Sequence, residues 1–310
     1  MKVRMATDGD VPRLVEAWNG VLHHDQTSPE RFRSVILGDP NYEPEGVVLA
    51  EGEGGEMLGL AAAVVRREVP GRDGAGSKWE FPRGFLKAFF VAEGEAGDRA
   101  ADPLLAQAED YCRAAGKRVL MVTEYAGPHL FPGIDIRYQR LREILVSHGY
   151  QDAGTIEDVA ADPRAPRFQT MLEQTWAGMA SDVTVVTWKP SLLPAMRAFV
   201  SEGNMPQWFP VGWEQRYQES RDHTLILQKR GEILGWAQYG AGRPNTGFGP
   251  ILVLPRARGN DYGALLLLEC MVRARKQGSE TMLAGWANTG FYARYGWQIV
   301  RRYAVFGKEL

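Results

Sequence analysis

The chain has 310 residues, of which 45% are hydrophobic and 24% charged, a balance ordinary for globular proteins and too apolar for wholesale disorder. That length exceeds one usual compact core and implies two domains of roughly 150 residues each. Lys plus Arg total 36 against 38 Asp plus Glu, and the net charge of -2 excludes a global attraction to nucleic acid or an anionic membrane. Any anion site must be local.

At the N-terminus, MKVRMATDGDVPRL lacks the apolar stretch of a secretory leader, and no later apolar run approaches the ~20 residues that span a bilayer. A strand around Val3–Thr7 and a helical stretch come first, then two strands around a Gly55–Glu56 turn and a long strand into Val91. The following Gly-containing loop, Ala92 to Pro103, leads into a helix with Asp102 as its expected N-cap and Pro103 at its first position. Segments 71–84 and 126–140 are Gly- and Pro-rich and are expected to be insertions. Asp162-Pro163-Arg164-Ala165-Pro166 breaks helices and marks a boundary. A short helix follows, with Phe168, Met171, Leu172 and Met179 along one face. Beyond it come a strand at Val183–Trp188, a helical region after Ser191, a strand pair within Thr224–Tyr239, and a strand over Gly249–Leu254. A loop from Pro255 to Asp261, an amphipathic helix over Tyr262–Gln277, a strand over Thr281–Trp286 and an aromatic tail complete the order.

The two halves match in order. GEMLGLA, starting at Gly55, and GEILGWA, starting at Gly231, share five of seven residues at an offset of 231 − 55 = 176. At an offset of 253 − 91 = 162, Val91 falls on Val253, Gly97 on Gly259, Leu104 and Leu105 on Leu266 and Leu267, and Gly116 on Gly278. Val3–Thr7 resembles Val183–Thr187, and His148-Gly149-Tyr150 resembles Tyr295-Gly296-Trp297. The chain is therefore expected to be a tandem duplication of one mixed α/β unit, with domains 1–162 and 181–310 and a linker helix at 163–180.

Chemistry first becomes visible at Val253-Leu-Pro-Arg256-Ala-Arg258-Gly259-Asn260-Asp261-Tyr262-Gly263-Ala264, where a strand turns into a helix. A helix start exposes unpaired N–H groups and the positive end of its dipole, glycines admit a phosphate closely, and Arg256 and Arg258 add positive charge. The alternative is that Gly259 and Gly263 serve only a tight turn and close helix packing.

This segment resembles the acyl-CoA loop of the GNAT (N-acetyltransferase) superfamily, whose pattern is Arg or Gln, two residues, Gly, one residue, Gly or Ala. Arg258 and Gly263 match, whereas Asp261 stands where the family has its first glycine. Phe291-Tyr292-Ala-Arg-Tyr-Gly296-Trp297 is similar to the family's Phe-Tyr-x-x-x-Gly-aromatic close, and the upstream strands fit as well. The resemblance implies a tandem GNAT-like acyl-CoA N-acyltransferase fold, with a mixed α+β sheet in each copy. It implies acetyl-CoA bound by the strand end Leu252, Val253 and Leu254, by Arg256 and Arg258, and by Gly259, Asn260, Asp261, Tyr262, Gly263 and Ala264. In the first copy the corresponding loop carries Glu93, Glu95, Asp98 and Asp102 against Arg99 alone, which makes it a structural or acceptor-shaping lobe.

Tyr292 falls where the family places its general acid; its alternative role is packing beside Phe291. Glu214 and His223 are the candidates for a base, the alternative for each being a solvated side chain. Trp208, Phe209 and Trp213, with Trp236 and Tyr239, are candidate walls of an acceptor site, with Glu214 meeting an amine cation, or else ordinary core. Cys112 and Cys270 lie far apart and without histidines at metal spacing, so neither a disulfide nor a metal site is expected, and Cys270 fits an inert buried thiol.

The function expected from the sequence is transfer of an acetyl group from acetyl-CoA to a small-molecule amine, directly and in the second copy. The competing expectation is a non-catalytic acyl-CoA or small-ligand binding protein. No metal, nucleic-acid or membrane partner is expected, and by elimination the location is cytoplasmic.

Overall fold

The computed structural model describes residues 1–66, 82–125, 127–203, 214, 221–240 and 246–310. The chain divides into two compact units, one formed by Met1–Ile156 with Arg302–Leu310, the other by Glu157–Arg301. The first opens with β1 (Lys2–Met5), α1 (Val11–Val21) and α2 (Pro29–Phe32), followed by β2 (Val47–Glu51), β3 (Met57–Val64) and β4 (Arg83–Val91). It continues with α3 (Glu95–Ala114), β5 (Val119–Val122), β6 (Ile134–Asp135) and α4 (Gln139–Ser147). β7 (Gln151–Ala161) leads into the second unit, with α5 (Arg167–Ala177), β8 (Val183–Thr187), α6 (Leu193–Gly203), β9 (Thr224–Lys229) and β10 (Glu232–Tyr239). Then follow β11 (Phe248–Val253), α7 (Tyr262–Lys276), β12 (Met282–Ala284) and α8 (Thr289–Ala293). Of the last strand, β13 (Gln298–Glu309), the residues from Arg302 onward belong to the first unit.

In the first unit β1, β2, β3 and β4 form an antiparallel ladder, β4 runs parallel to β5, and β5 pairs antiparallel with β13. Leu58–Val64 and Gly84–Val91 are buried without alternation, because α1 and α3 both pack on these strands. Strands covered on both faces are apolar throughout. Trp18 anchors this core, stacked on Phe131 at 5.4 Å and edge-on to Phe90 at 5.8 Å. The expected helix start at Asp102–Pro103 is corrected. α3 begins at Glu95, behind Gly94 at φ 90°, and Pro103 lies inside the helix. Glu95 and Asp98 occupy its first turn, where carboxylates suit the dipole, and Asp102 faces outward to His148 at 2.8 Å.

In the second unit β8, β9, β10 and β11 form an antiparallel four-stranded sheet, and β12 pairs with Val159–Ala161 of β7. The helix expected to be amphipathic, α7, buries Leu265, Leu266, Leu267 and Leu268 completely, because α5 packs on it as well as β10 and β11. A helix that is apolar all round needs such cover on more than one side. Phe168 and Leu172 of α5 join the same core as the sheet.

The repeat shows in the ladder register. Phe85 lies opposite Met121 in the first unit and Gly247 opposite Leu283 in the second, both parallel, and 247 − 85 equals 283 − 121, the offset of 162 found in the sequence. Among the described residues, no helix is long and apolar enough to cross a membrane.

Candidate functional site

The single bridge at Gly247 and Leu283, with the Leu283 N–H donating to the Thr246 carbonyl at 2.7 Å, is where β11 and β12 touch before they part. On its other edge β11 pairs with β10, and the Leu254 N–H donates to the Leu234 carbonyl at 3.0 Å. Antiparallel bonding alternates, so Leu252 also faces β10 while the backbone groups of Ile251 and Val253 face the opening. Arg258 Nε, 3.3 Å from the Val253 carbonyl, reaches that open edge. Pro250 has no N–H to offer there.

The opening is a cleft of about 790 Å³, walled by β11, the Ala257–Asp261 turn, the first turn of α7, Gly285 and Trp286 after β12, and the face of α8 bearing Phe291 and Tyr292. The first i→i−4 bond of α7 runs from the Leu265 N–H to the Asp261 carbonyl at 2.9 Å, so the N–H groups of Tyr262, Gly263 and Ala264 have no acceptor in the helix. Gly259 turns the chain at φ 82°, and at Gly263 a side chain would begin 3.4 Å from the Phe291 ring. Asn260 Nδ2 ties the turn together through the Ala257 carbonyl at 3.1 Å.

Asp261 occupies the left-handed region at φ 55°, ψ 15°, is exposed, and makes no side-chain hydrogen bond to the helix end. It does not cap the helix. The conformation supplies the reason that a glycine suits this position: a Cβ is penalised there, least for Asn and Asp.

Tyr292 lines the cleft and is only 7% exposed. Its ring stands edge-on to Phe248 at 6.0 Å and lies 5.2 Å from Trp297, while its hydroxyl makes no hydrogen bond among the described residues. Burial, and secondarily the Cys270 thiol, push its pKa above the usual phenol range, so the hydroxyl stays protonated at neutral pH. Cys270 is itself fully buried and its thiol is pushed up by desolvation, which leaves it inert.

Leu252, Val253, Arg258, Gly259, Asp261, Tyr262, Gly263 and Ala264 line the cleft; Leu254 is buried behind it. Arg256 is not among the lining residues: Glu202 holds it at 2.5 Å and Glu232 at 2.6 Å. Glu214 also lies off the lining, gripped by Arg197 at 2.7 and 3.0 Å, and this pairing keeps its carboxyl below the usual range. Trp236 and Tyr239 are buried in the sheet core, and Tyr239 stands edge-on to His223 at 5.3 Å. Trp208, Phe209 and Trp213 fall outside the described residues. Sequence reasoning passed over Trp286, Arg294 and Tyr295, which also line the cleft. Arg294 lies over the Phe291 ring at 5.6 Å, and Tyr295 has its acidity lowered in strength by burial, opposed by Arg294 and reinforced by Asp261. The Phe291–Trp297 motif held the signal for the last two. Among the described residues, no cluster of His, Cys, Asp and Glu could hold a metal ion.

An open strand edge, a helix start with free N–H groups and a protonated phenol are assembled in one cleft, and residues 190–297, which contain all three, match the family described as Acetyltransferase (GNAT) family. The second unit carries a GNAT-family domain. The fold of the whole chain is that of tandem GNAT proteins. It is similar to a GCN5-related N-acetyltransferase from Sphaerobacter thermophilus, with 17% identity and a TM-score of 0.69, covering 99% of this chain and 95% of that one. It is similar also to a tandem GNAT protein from the clavulanic acid biosynthesis pathway, with 14% identity and a TM-score of 0.59, covering 99% and 98%. A third similarity, at 14% identity and a TM-score of 0.76, is to a fungal multi-domain beta-N-acetylglucosaminidase with a glucosamine N-acetyltransferase region; it covers 99% of this chain but spans only 38% of that protein. No curated protein matches the chain in sequence.

Proposed function

We propose that the protein is an acyl-CoA-dependent N-acyltransferase that passes an acetyl group directly to a small-molecule amine from the cleft of the second unit. The observation that carries this reading is the meeting, in one cleft, of the open β11 edge, the N-terminus of α7 and the Tyr292 hydroxyl. The N–H groups of Tyr262, Gly263 and Ala264, with Arg258, would hold a pyrophosphate. The outward backbone groups of Ile251 and Val253 would bond the amides of the pantetheine arm. The amine nitrogen attacks the thioester carbon, its C–N bond forms as the C–S bond breaks, and Tyr292 delivers its proton to the departing sulfur. Among the described residues, Asp261 is the sole carboxylate lining the cleft, so the amine's own proton leaves through water, from which Tyr292 is reprotonated.

The first unit takes a supporting role in this proposal. At offset 162, Lys87 and Tyr125 stand where the second unit has Gly249 and Ala287. Lys87 is fully buried, pairs with Asp39, donates to the Val35 carbonyl at 2.7 Å and lies 4.9 Å over the Tyr125 ring. Both side chains are buried in the first unit, whereas Gly249 lines the cleft of the second. A second reading, a non-catalytic acyl-CoA or small-ligand binder, is favoured by the cleft lining, which among the described residues holds no histidine and no carboxylate besides Asp261 on the phosphate turn to act as a base. Calorimetric titration with CoA, followed by thiol release from acetyl-CoA across a panel of amines, tests both. Binding with turnover supports the enzyme, binding without turnover supports the second reading, and no binding refutes both.

A further inference from the structure

The chain leaves β12 through a left-handed residue, Trp286 at φ 55°. A bulky aromatic pays a steric cost there, and such conformations persist where the surroundings over-determine them. Three contacts do so. The Asp158 carboxylate, 8% exposed, accepts the Trp286 N–H at 3.2 Å. The Ala287 N–H donates to the Glu157 carbonyl at 2.8 Å. Gly285 leaves room for the carboxylate, since a Cβ there would lie 3.3 Å from Asp158 Oδ1. The equivalent residue of the first unit, Glu124, is also left-handed at φ 62°, so the turn belongs to the repeated fold. Its combination with an indole on the cleft wall belongs to the second unit.

Position in the ladder says what the indole faces. Trp286 lies three residues beyond the Gly247–Leu283 bridge along one strand, and Pro250 lies three beyond it along the other. Both line the cleft, as do Phe248 and Tyr292. We propose that Trp286, fixed by Asp158, limits the acyl group to short chains, making it the specificity-determining residue of the cleft and Asp158 a positioning residue. This rests on the cleft being the acyl-CoA site.

The probes are CoA, acetyl-CoA and octanoyl-CoA, with affinities measured by calorimetry on the full chain and melting curves confirming that each variant folds. In the wild type, CoA and acetyl-CoA bind within threefold of each other and octanoyl-CoA at least tenfold more weakly. Trp286→Gly, which removes both the ring and the left-handed penalty, brings octanoyl-CoA to within threefold of acetyl-CoA and leaves CoA unchanged. Trp286→Asn, tolerant of the same backbone, does likewise. Asp158→Ala shifts the ratio in the same direction, and Asp158→Asn restores it because an amide oxygen accepts the same N–H. Equal binding of the two thioesters by the wild type, or an unchanged ratio in both Trp286 variants, overturns the proposal while the CoA site stands. Absence of CoA binding by the wild type instead removes the site on which the proposal rests.

Discussion

Replacing Asp261 by Gly perturbs one residue in two separable ways. Its φ of 55° costs an L-residue roughly 1–2 kcal/mol, with Asp at the lower end. Against this, glycine gives the unfolded chain freedom worth about 0.4–1 kcal/mol. No capping hydrogen bond is lost, because the carboxylate makes none. The balance is a gain of up to about 0.6 kcal/mol, and a domain of this size gains about 2–4 °C in Tm per kcal/mol. The second effect is on CoA. A unit-charge pair at contact in water is worth about 1 kcal/mol, so removing the carboxylate from the phosphate turn should tighten CoA binding roughly fivefold at low salt. The gain should shrink as added salt shortens the Debye length from about 10 Å at 0.1 M to about 3 Å at 1 M. Melting curves read the first effect, and calorimetric titrations at two ionic strengths read the second. A lower Tm would mean that the carboxylate caps the helix after all. Equal or weaker CoA binding would mean that it points away from the ligand.

Further outcomes follow from the same geometry. Tyr292→Phe should lower turnover by about a hundredfold while leaving CoA affinity within twofold, since a general acid acts on the departing group; equal turnover in single-turnover kinetics would return Tyr292 to a packing role. Because burial raises its pKa, the Tyr292 proton is retained as pH rises, and the alkaline limb of the rate profile from this group should lie above pH ~10. In the first unit, Asp10 accepts from Arg4 at 2.7 and 2.8 Å and from the Thr7 N–H at 2.8 Å, and the Arg4 guanidinium holds its carboxyl well below the usual range. A depressed carboxyl contributes in full at neutral pH and loses its contribution as pH falls below about 4, so Asp10→Asn should cost roughly 2 kcal/mol at pH 7 in denaturant titrations and progressively less in acid. Phe306→Ala, on the β13 segment that pairs with β5, should destabilise the first unit by about 3 kcal/mol, measured by its unfolding midpoint.

The repeat was legible because backbone register is written in local pattern: the 162-residue offset relates the Phe85–Met121 pair to the Gly247–Leu283 bridge. The Arg258–Gly263 turn and the Phe291–Trp297 segment were each marked by residue type and spacing, and they face one cleft. What stayed hidden depends on distant partners or on torsion. Nothing near Arg256 in sequence announces that Glu202 and Glu232 will hold it. Pro103 looked like a helix start because Asp-Pro is a common one, yet Gly94 starts the helix earlier and the proline is accommodated within it. The left-handed torsions of Asp261 and Trp286 leave no mark in composition. The pairing of the final strand with β5 joins residues far apart in the chain, Phe306 with Val122 at a separation of 306 − 122 = 184, beyond the reach of periodicity.

The central claim is that acyl-CoA binds the cleft of the second unit. Calorimetric titration of CoA into the wild-type chain and into Arg258→Glu tests it most directly. The wild type should bind one CoA per chain, and charge reversal at the phosphate turn should weaken that binding at least tenfold at 0.1 M salt without lowering Tm. Two sites per chain, or undiminished affinity in Arg258→Glu, would contradict it.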